Sequence, residues 1–235
     1  MSGSWRSIQE WFLGPRCVLC GDPAPARLEL CAGCLADLPR LGPACPHCGE
    51  PTPGGRVCGA CVRRPPPFDY LRAPFRYQLP VDWLVAGLKF ERRLNHGRLL
   101  AEVLRDHWAP GDDTLPDLAL PVPLHPARLR ERGFNQTIEL FVPLLADLGV
   151  ALERGAVERT QPTVAQAGLH AGARRRNVRG AFRLAVDAGR VADRHVVILD
   201  DVVTTGSTVA ELARVLRRAG AARIGVWALA RTVVS

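Results

Sequence analysis

The chain has 235 residues, of which 47% are hydrophobic and 23% are charged, proportions typical of a globular protein. It contains no apolar run of about 18 residues and does not open on a basic segment followed by an apolar core, so we expect no membrane span, no signal peptide and a cytoplasmic location. The net charge of +8 favours polyanionic ligands such as nucleotides or nucleic acid, although an arginine-rich composition without any such partner would give the same charge.

The first segment with a pattern is a short amphipathic helix. Its apolar face is formed by Trp5, Ile8, Trp11 and Phe12. We expect this face to dock onto the body of the protein. Attachment to a membrane surface is the alternative, which the weakly basic polar face disfavours.

All eight cysteines follow in four C-x-x-C pairs: Cys17 and Cys20, Cys31 and Cys34, Cys45 and Cys48, and Cys58 and Cys61. Two such pairs form a tetrahedral four-thiolate site, so the eight thiols predict two structural Zn2+ sites. Disulfide bonds are disfavoured in the cytoplasm. The short, similar loops favour pairing of neighbours, 17/20 with 31/34 and 45/48 with 58/61, while an interleaved pairing stays open.

Two other features of this region complete the cysteine module. His47 lies inside the third pair, and because eight thiols already complete two sites we interpret it as a bystander. The segment 63–67 is a stiff Arg-Arg-Pro-Pro-Pro linker that marks a boundary. We therefore predict a helix and double zinc ribbon over 1–65 and a second domain over 66–235.

The second domain has the alternation of helices and buried strands that is typical of an α/β fold. Alternating apolar residues over 68–79 predict one or two edge strands. Helices are predicted over 81–90, 97–108 and 134–148, and buried strands over 117–123 and 222–229. We expect the helix over 134–148 to break or bend near Pro143.

The most informative segment is a strand followed by a helix near the carboxyl end. Val196 to Leu199 are all apolar and predict a parallel strand buried on both faces. We expect this strand to end at Asp200, because an unpaired charge is costly in a core. A helical pattern follows over 208–219. The residues between form a strand-to-helix loop at the carboxyl end of a parallel sheet, where open α/β folds bind ligands.

The side chains of this loop suit a ribose phosphate. Its hydroxyls belong to Thr204, Thr205, Ser207 and Thr208. Gly206 allows a tight turn, and the N–H groups at the start of the helix favour a phosphate. Asp200 and Asp201 can accept hydrogen bonds from the two hydroxyls of a ribose diol. A capped turn without a ligand is the alternative, but a cap needs only one hydroxyl.

A second anion site is predicted in the loop 121–126, which includes Val122 and Pro123. The prolines of this loop stiffen the backbone and make a cis peptide bond inexpensive. Cations for a pyrophosphate follow at Arg128, Arg130 and Arg132. We add Lys89, the only lysine of the chain, because a sequence that otherwise uses arginine keeps a compact ammonium there. A plain strand-end turn and chance survival of one lysine are the alternatives.

A polar segment over 159–168 and an arginine-rich stretch over 174–178 predict a mobile lid over a reactive ester. A disordered surface loop is the alternative. The residues that we assign to this flexible loop are Arg159, Thr160, Gln166 and Arg175.

These segments together resemble one family. The loop 200–208, Asp-Asp-Val-x-Thr-Thr-Gly-Ser-Thr, is similar to the phosphoribosyl pyrophosphate (PRPP) motif of type I phosphoribosyltransferases. Pro-Val-Pro-Leu-His (121–125), Arg-Gly-Phe-Asn-Gln (132–136), Arg-Thr-x-x-x-x-x-Gln (159–166) and Arg-x-Asn-Val-x-Gly-Ala-Phe (175–182) occur in the order found in the ComF family. The double zinc ribbon resembles that family as well, so the resemblance covers essentially the whole chain.

The resemblance implies a type I phosphoribosyltransferase-like fold, a parallel sheet flanked by helices, that binds PRPP with Mg2+. Asp200 and Asp201 would hold the ribose, and Thr204 to Thr208 the 5′-phosphate. Residues 122–132 and Arg159 would hold the pyrophosphate, and we place Lys89, the lysine singled out above, with them.

The same resemblance implies a role in DNA uptake during natural competence, with single-stranded DNA and competence proteins as partners. No residue indicates which acceptor would receive the ribose 5-phosphate, and we assign no catalytic residue. Whether the protein turns over PRPP is left open at this point. A non-catalytic PRPP sensor, a nucleic-acid-binding factor and a metabolic phosphoribosyltransferase are the alternatives.

Overall fold

The computed structural model describes residues 14–25, 27–108, 114–160, 178–185 and 187–233. The predicted amphipathic helix with Trp5, Ile8, Trp11 and Phe12 lies outside these residues. So does most of the predicted lid, including Gln166 and Arg175.

The cysteine module repeats one turn twice. In the first copy the Cys17 N–H donates to Asp22 O at 2.7 Å, and the Gly21 N–H donates to Cys17 O at 2.9 Å. In the second copy Cys45 bonds Glu50 O and Gly49 bonds Cys45 O at the same two distances. Each copy then has a short helix at its second C-x-x-C pair, α1 (Ala32–Ala36) and α2 (Gly59–Arg63). The module is therefore two similar ribbons in series.

The second part of the chain is built on a parallel sheet. Its strands are β1 (Tyr70–Arg72), β2 (Phe75–Arg76), β3 (Leu118–Pro121), β4 (Ala151–Leu152), β7 (His195–Val203) and β8 (Arg223–Arg231). Their order is β1-β8-β7-β3-β4, with β2 also paired to β8, and every pair is parallel. The long central strands β7 and β8 are buried on both faces, which explains their continuous apolar sequences.

Helices cover both faces of this sheet. They are α3 (Val81–Phe90), α4 (Leu94–His107), α5 (Pro126–Arg132), α6 (Gln136–Leu148) and α7 (Ser207–Arg218). Alternate residues of β7 point to opposite faces. Val197 and Leu199 join the apolar cluster of α3, α4 and α6, whereas Val196 and Ile198 join that of α7. The α/β class predicted from the sequence is confirmed.

Several boundaries differ from those predicted. β7 continues through Asp200 to Val203, because the buried charge at Asp201 is paired by a cation from another element. α4 begins at Leu94 rather than at residue 97, and α6 runs unbroken through Pro143. Within the described residues the cis peptide bond precedes Pro80 and does not lie in the loop 121–126.

Regular structure lies on both sides of the predicted lid. β5 (Val157–Arg159) pairs antiparallel with β6 (Phe182–Leu184) as a separate two-stranded sheet. Arg159 is therefore the last residue of a strand, and Thr160 continues the pairing through its N–H, which donates to Ala181 O at 2.9 Å.

The first ribbon packs directly on the sheet domain. Leu30 and Leu38 are buried in the same apolar cluster as α3, α4 and α6. The segment after this ribbon also bonds the first strands, since the Arg76 N–H donates to Pro39 O at 2.8 Å. The division at residue 65 stays a prediction. Within the part of the chain that the structure describes, no helix is both long and apolar enough to cross a bilayer.

Candidate functional site

The candidate site lies where β3 and β7 end. Pro121 is in register with Leu199, and the Val122 N–H donates to Leu199 O at 2.9 Å. The loops that follow these strands, 122–125 and 204–206, therefore leave the same edge of the sheet. Asn135 fixes the first loop, because its Nδ2 donates to Val122 O at 3.1 Å and its Oδ1 caps α6.

At the end of β7 the two acids have different environments. Asp201 is only 4% exposed, and its Oδ2 lies 2.5 Å from Lys89 Nζ at the end of α3. Burial alone would raise the pKa of Asp201, but the charge and hydrogen bond of Lys89 outweigh it and lower that pKa. Burial, followed by the neighbouring Asp201 charge, raises the pKa of Asp200 well above its usual value. The pair thus favours one negative charge, held by Lys89.

Arg132 and Arg159 lie close enough to this pair to interact with its charge, and Arg128 interacts with both arginines. Arg132 is buried, donates to Gln136 Oε1 and lies 5.9 Å from the centre of the Phe90 ring. Burial lowers the pKa of Arg132, while Asp201 opposes that shift. Burial and then Arg128 lower the pKa of Arg159, while Asp200 opposes that shift. The cations assigned from the sequence therefore act on one another and on the acid pair.

The hydroxyl-rich loop turns at Gly206, whose backbone has a left-handed conformation that favours glycine. Gly206 has φ of +71° and is the N-cap of α7, so no side chain caps the helix from that position. Thr205 Oγ1 and Ser207 Oγ lie 2.7 Å apart, next to the first helical N–H groups. A partly exposed helix start with two adjacent hydroxyls is an arrangement that can bind a phosphate.

Two residues near the site were not singled out from the sequence. Tyr77 follows β2, and burial raises the pKa of its hydroxyl, while the nearby Lys89 lowers that pKa and Asp201 raises it further. Its position after a strand that ends at this edge of the sheet could have marked it. Arg231, the last residue of β8, bonds the start of the hydroxyl-rich loop. No local pattern could have identified it, because its partners are distant in sequence.

The eight cysteines form two clusters. The first cluster consists of cysteines 17, 20, 31 and 34, and the second of cysteines 45, 48, 58 and 61. In each cluster the four Sγ atoms lie within 4.8 Å of one another. The serial pairing is confirmed, and all eight thiols are free of disulfide bonds. Backbone N–H groups approach the sulfurs, as in Cys58 N to Cys45 Sγ at 3.3 Å.

These clusters have the donor set and size of closed structural zinc sites. Burial raises the pKa of the Cys45 thiol, but hydrogen bonds from backbone N–H groups outweigh it and lower the pKa to about 6. His47 is in neither cluster, and its Nδ1 donates to Asp69 O at 2.8 Å.

Comparison with known proteins agrees with this architecture. A family profile described as "Double zinc ribbon domain" matches residues 8–62, and one described as "Phosphoribosyl transferase domain" matches residues 138–232. "Competence protein F" of Haemophilus influenzae is 36% identical over 225 residues, which cover 94% of this chain and 98% of that protein. The chain belongs to the ComF family.

Other ComF relatives have names that refer to DNA. "DNA utilization protein YhgH" of Salmonella typhimurium is 41% identical over 232 residues, covering 97% of this chain and 93% of the relative. Its Escherichia coli O157:H7 counterpart is 44% identical over 181 residues, covering 75% of this chain and 78% of that protein.

Solved structures show more distant likeness. Purine phosphoribosyltransferase from Pyrococcus horikoshii is 20% identical with a TM-score of 0.31, covering 65% of this chain and 87% of that one. The Bacillus subtilis glutamine PRPP amidotransferase is 20% identical with a TM-score of 0.33, covering 57% and 25%. At these scores neither likeness supports a conclusion of its own.

Proposed function

We propose that this ComF protein binds PRPP at the carboxyl edge of its sheet. The observation that carries the proposal is the order of groups along β7 and α7. An acid pair with one counter-ion, Lys89, is followed by a hydroxyl-rich turn at Gly206 and by the start of α7, whose N-cap residue has no side chain. Acids suit the hydroxyls of a ribose, and the helix start suits its 5′-phosphate.

The pyrophosphate would lie across from this loop. Val122 and Pro123 begin the loop at the neighbouring strand end, and Arg128, Arg132 and Arg159 supply positive charge. Lys89 would exchange part of its contact with Asp201 for a phosphate oxygen.

Mg2+ accompanies PRPP in this proposal. The carboxylate oxygens at Asp200 and the pyrophosphate are the hard donors that this ion prefers, and the bound ion would neutralise pyrophosphate charge.

Transfer of ribose 5-phosphate to an acceptor is the reaction that such a site supports. The residues named above would act by positioning the ribose and by stabilising the charge that develops on the leaving pyrophosphate. We propose that this activity takes place in the cytoplasm and supports DNA utilization. The role in DNA utilization is supported by relatives that match nearly the whole chain and whose names refer to competence and DNA utilization.

The experiment is calorimetry of zinc-loaded protein with PRPP and Mg2+. We expect saturable binding that Asp200→Asn/Asp201→Asn abolishes. The matched control, Asp106→Asn/Asp147→Asn, also removes two carboxylates that pair with cations, since Asp106 pairs with Arg27 and Asp147 with Arg105. This variant should bind PRPP as the unchanged protein does. Unaltered PRPP binding by the Asp200/Asp201 variant would refute the site.

Pyrophosphate release then separates an enzyme from a sensor. We expect release when PRPP is offered with the correct nucleobase or amine acceptor. Binding without release for every acceptor would instead favour a PRPP-sensing factor. Binding of single-stranded DNA at several salt concentrations tests a direct nucleic-acid contact, because phosphate contacts give a steep salt dependence.

A further inference from the structure

Arg231 connects the second zinc cluster with the phosphate loop. It is the last residue of β8, and its side chain is only 8% exposed. Its Nε donates to Cys48 O at 2.8 Å, within the second cluster. Its Nη1 donates to the carbonyl oxygens of Val203 and Thr204, where β7 passes into the phosphate loop.

The guanidinium is held in one orientation by further contacts. Nη1 also donates to Thr232 O, and Nη2 lies 3.3 Å from Glu50 Oε2. Gly49, with φ of +70°, leaves room for Leu71, since a Cβ there would lie 2.6 Å from Leu71 Cδ2; the same Cβ would be in ordinary contact with Arg231 Cγ at 3.5 Å. The planar fork of the guanidinium offers five N–H donors to this set; Nη1 has two N–H groups and three neighbouring carbonyl oxygens, so one N–H is shared between two of them. A lysine ammonium has three donors and could satisfy only part of the set.

The contact with Thr204 O has a consequence for the loop. A trans peptide group is planar, so its C=O and N–H point in opposite directions. When Arg231 binds the Thr204 carbonyl, the Thr205 N–H must point away from the guanidinium. The orientation of the first loop amide is thus set by a side chain that the second zinc cluster holds.

We propose that Arg231 is a positioning residue that makes the phosphate loop depend on zinc in the second cluster. Zinc would fix the turn 45–49, the turn would fix Arg231 through Cys48 O, and Arg231 would fix the loop. The first cluster has different neighbours, since Arg27, between its two cysteine pairs, bonds Glu102 and Asp106 on α4. Among the described contacts, the hydrogen-bonded path to the loop therefore starts at the second cluster. This inference rests on the proposed function.

The first test compares two conservative variants. Arg231→Lys keeps the charge but loses the fork. Its control is Arg217→Lys, because Arg217 also donates to two carbonyls and a carboxylate, those of Ala221, Ala222 and Asp69, away from the loop. We expect Arg231→Lys to weaken ribose 5-phosphate binding about tenfold, the loss of a charged hydrogen bond.

Two ligands separate positioning from general damage. Inorganic pyrophosphate does not need the 5′-phosphate loop, so we expect its affinity to change by less than about threefold in Arg231→Lys. Equal weakening of both ligands, or of neither, would overturn the positioning role. Arg217→Lys should bind both ligands as the unchanged protein does.

The second test needs no ligand. Hydrogen exchange of the amides over 203–207 is compared in Cys58→Ser/Cys61→Ser and in Cys31→Ser/Cys34→Ser, which each remove half of one cluster. We expect faster exchange of these amides in the first variant and in Arg231→Lys. Equal exchange in the two cysteine variants would overturn the inference. If the unchanged protein binds no ribose 5-phosphate, the proposed function fails, but this exchange result still decides the zinc dependence.

Discussion

Lys89 Nζ lies 2.5 Å from Asp201 Oδ2, and this contact joins the end of α3 to the strand that carries the candidate site. The lysine side chain is 19% exposed and the aspartate side chain 6% exposed, so water screens the pair weakly. The only lysine of the chain therefore has both a structural partner and a place in the site.

Replacing this lysine should destabilise the protein. Lys89→Met leaves the Asp201 charge buried and unpaired, and we expect the free energy of unfolding to fall by about 3 kcal/mol. Urea unfolding measures the change. In Lys89→Met/Asp201→Asn the stranded charge is gone, so much of the loss should be recovered. A double variant no more stable than the single one would contradict the pairing.

The turn at Gly206 gives a second prediction. Gly206→Ala meets no clash, since its Cβ would lie 3.9 Å from the nearest atom, but an alanine at φ of +71° costs about 1 kcal/mol of stability. Gly149→Ala is the matched control, because Gly149 has φ of +67°, open space and a place at the end of α6. Thermal unfolding should show similar losses in both variants. Only Gly206→Ala should also weaken phosphate binding. If Gly206→Ala and Gly149→Ala bound phosphate equally well, the assignment of the phosphate loop would be contradicted.

A third prediction concerns pH and His96. This residue is 1% exposed, its Nδ1 donates to Leu84 O at 3.2 Å, and burial lowers its pKa. Below pH about 6.5 the unfolded chain takes up a proton that the folded protein resists, so stability should fall as the pH decreases, by at most about 1.4 kcal/mol per pH unit. Chemical unfolding between pH 5 and 8 measures this slope. His96→Gln should flatten the curve in that window, and parallel curves would show that His96 does not contribute.

The metal content is the fourth prediction. Two four-thiol clusters should hold two Zn2+ per chain, and native mass spectrometry measures the number. Cys31→Ser/Cys34→Ser should lose one ion and keep the other. Loss of both ions would show that the clusters are coupled, and Co2+ substitution should give the spectrum of tetrahedral thiolate coordination.

Local patterns explain what could be predicted from the sequence. The spacing of the cysteines and the apolar run 196–199 depend on neighbours along the chain, so the clusters, β7 and α7 were predictable. The end of β7 was wrongly placed at Asp200, since the cation that allows the strand to continue is Lys89, more than 100 residues away.

The role of Arg231 was unpredictable for the same reason. Its partners, Cys48 and Thr204, come from distant segments, and the sequence shows only an arginine after an apolar strand. The hairpin of β5 and β6 was hidden by its short, polar strands and by the segment of the chain that separates them.

The burial of the first ribbon limits how this protein can be divided for study. Because Leu30 and Leu38 fill part of the core formed by α3, α4 and α6, a fragment that begins after the linker at 63–67 would present that apolar surface to water. Such a fragment should aggregate during expression unless those contacts are redesigned. Truncation is therefore a poor way to isolate the phosphoribosyltransferase half, and point variants in the whole chain are the sounder choice.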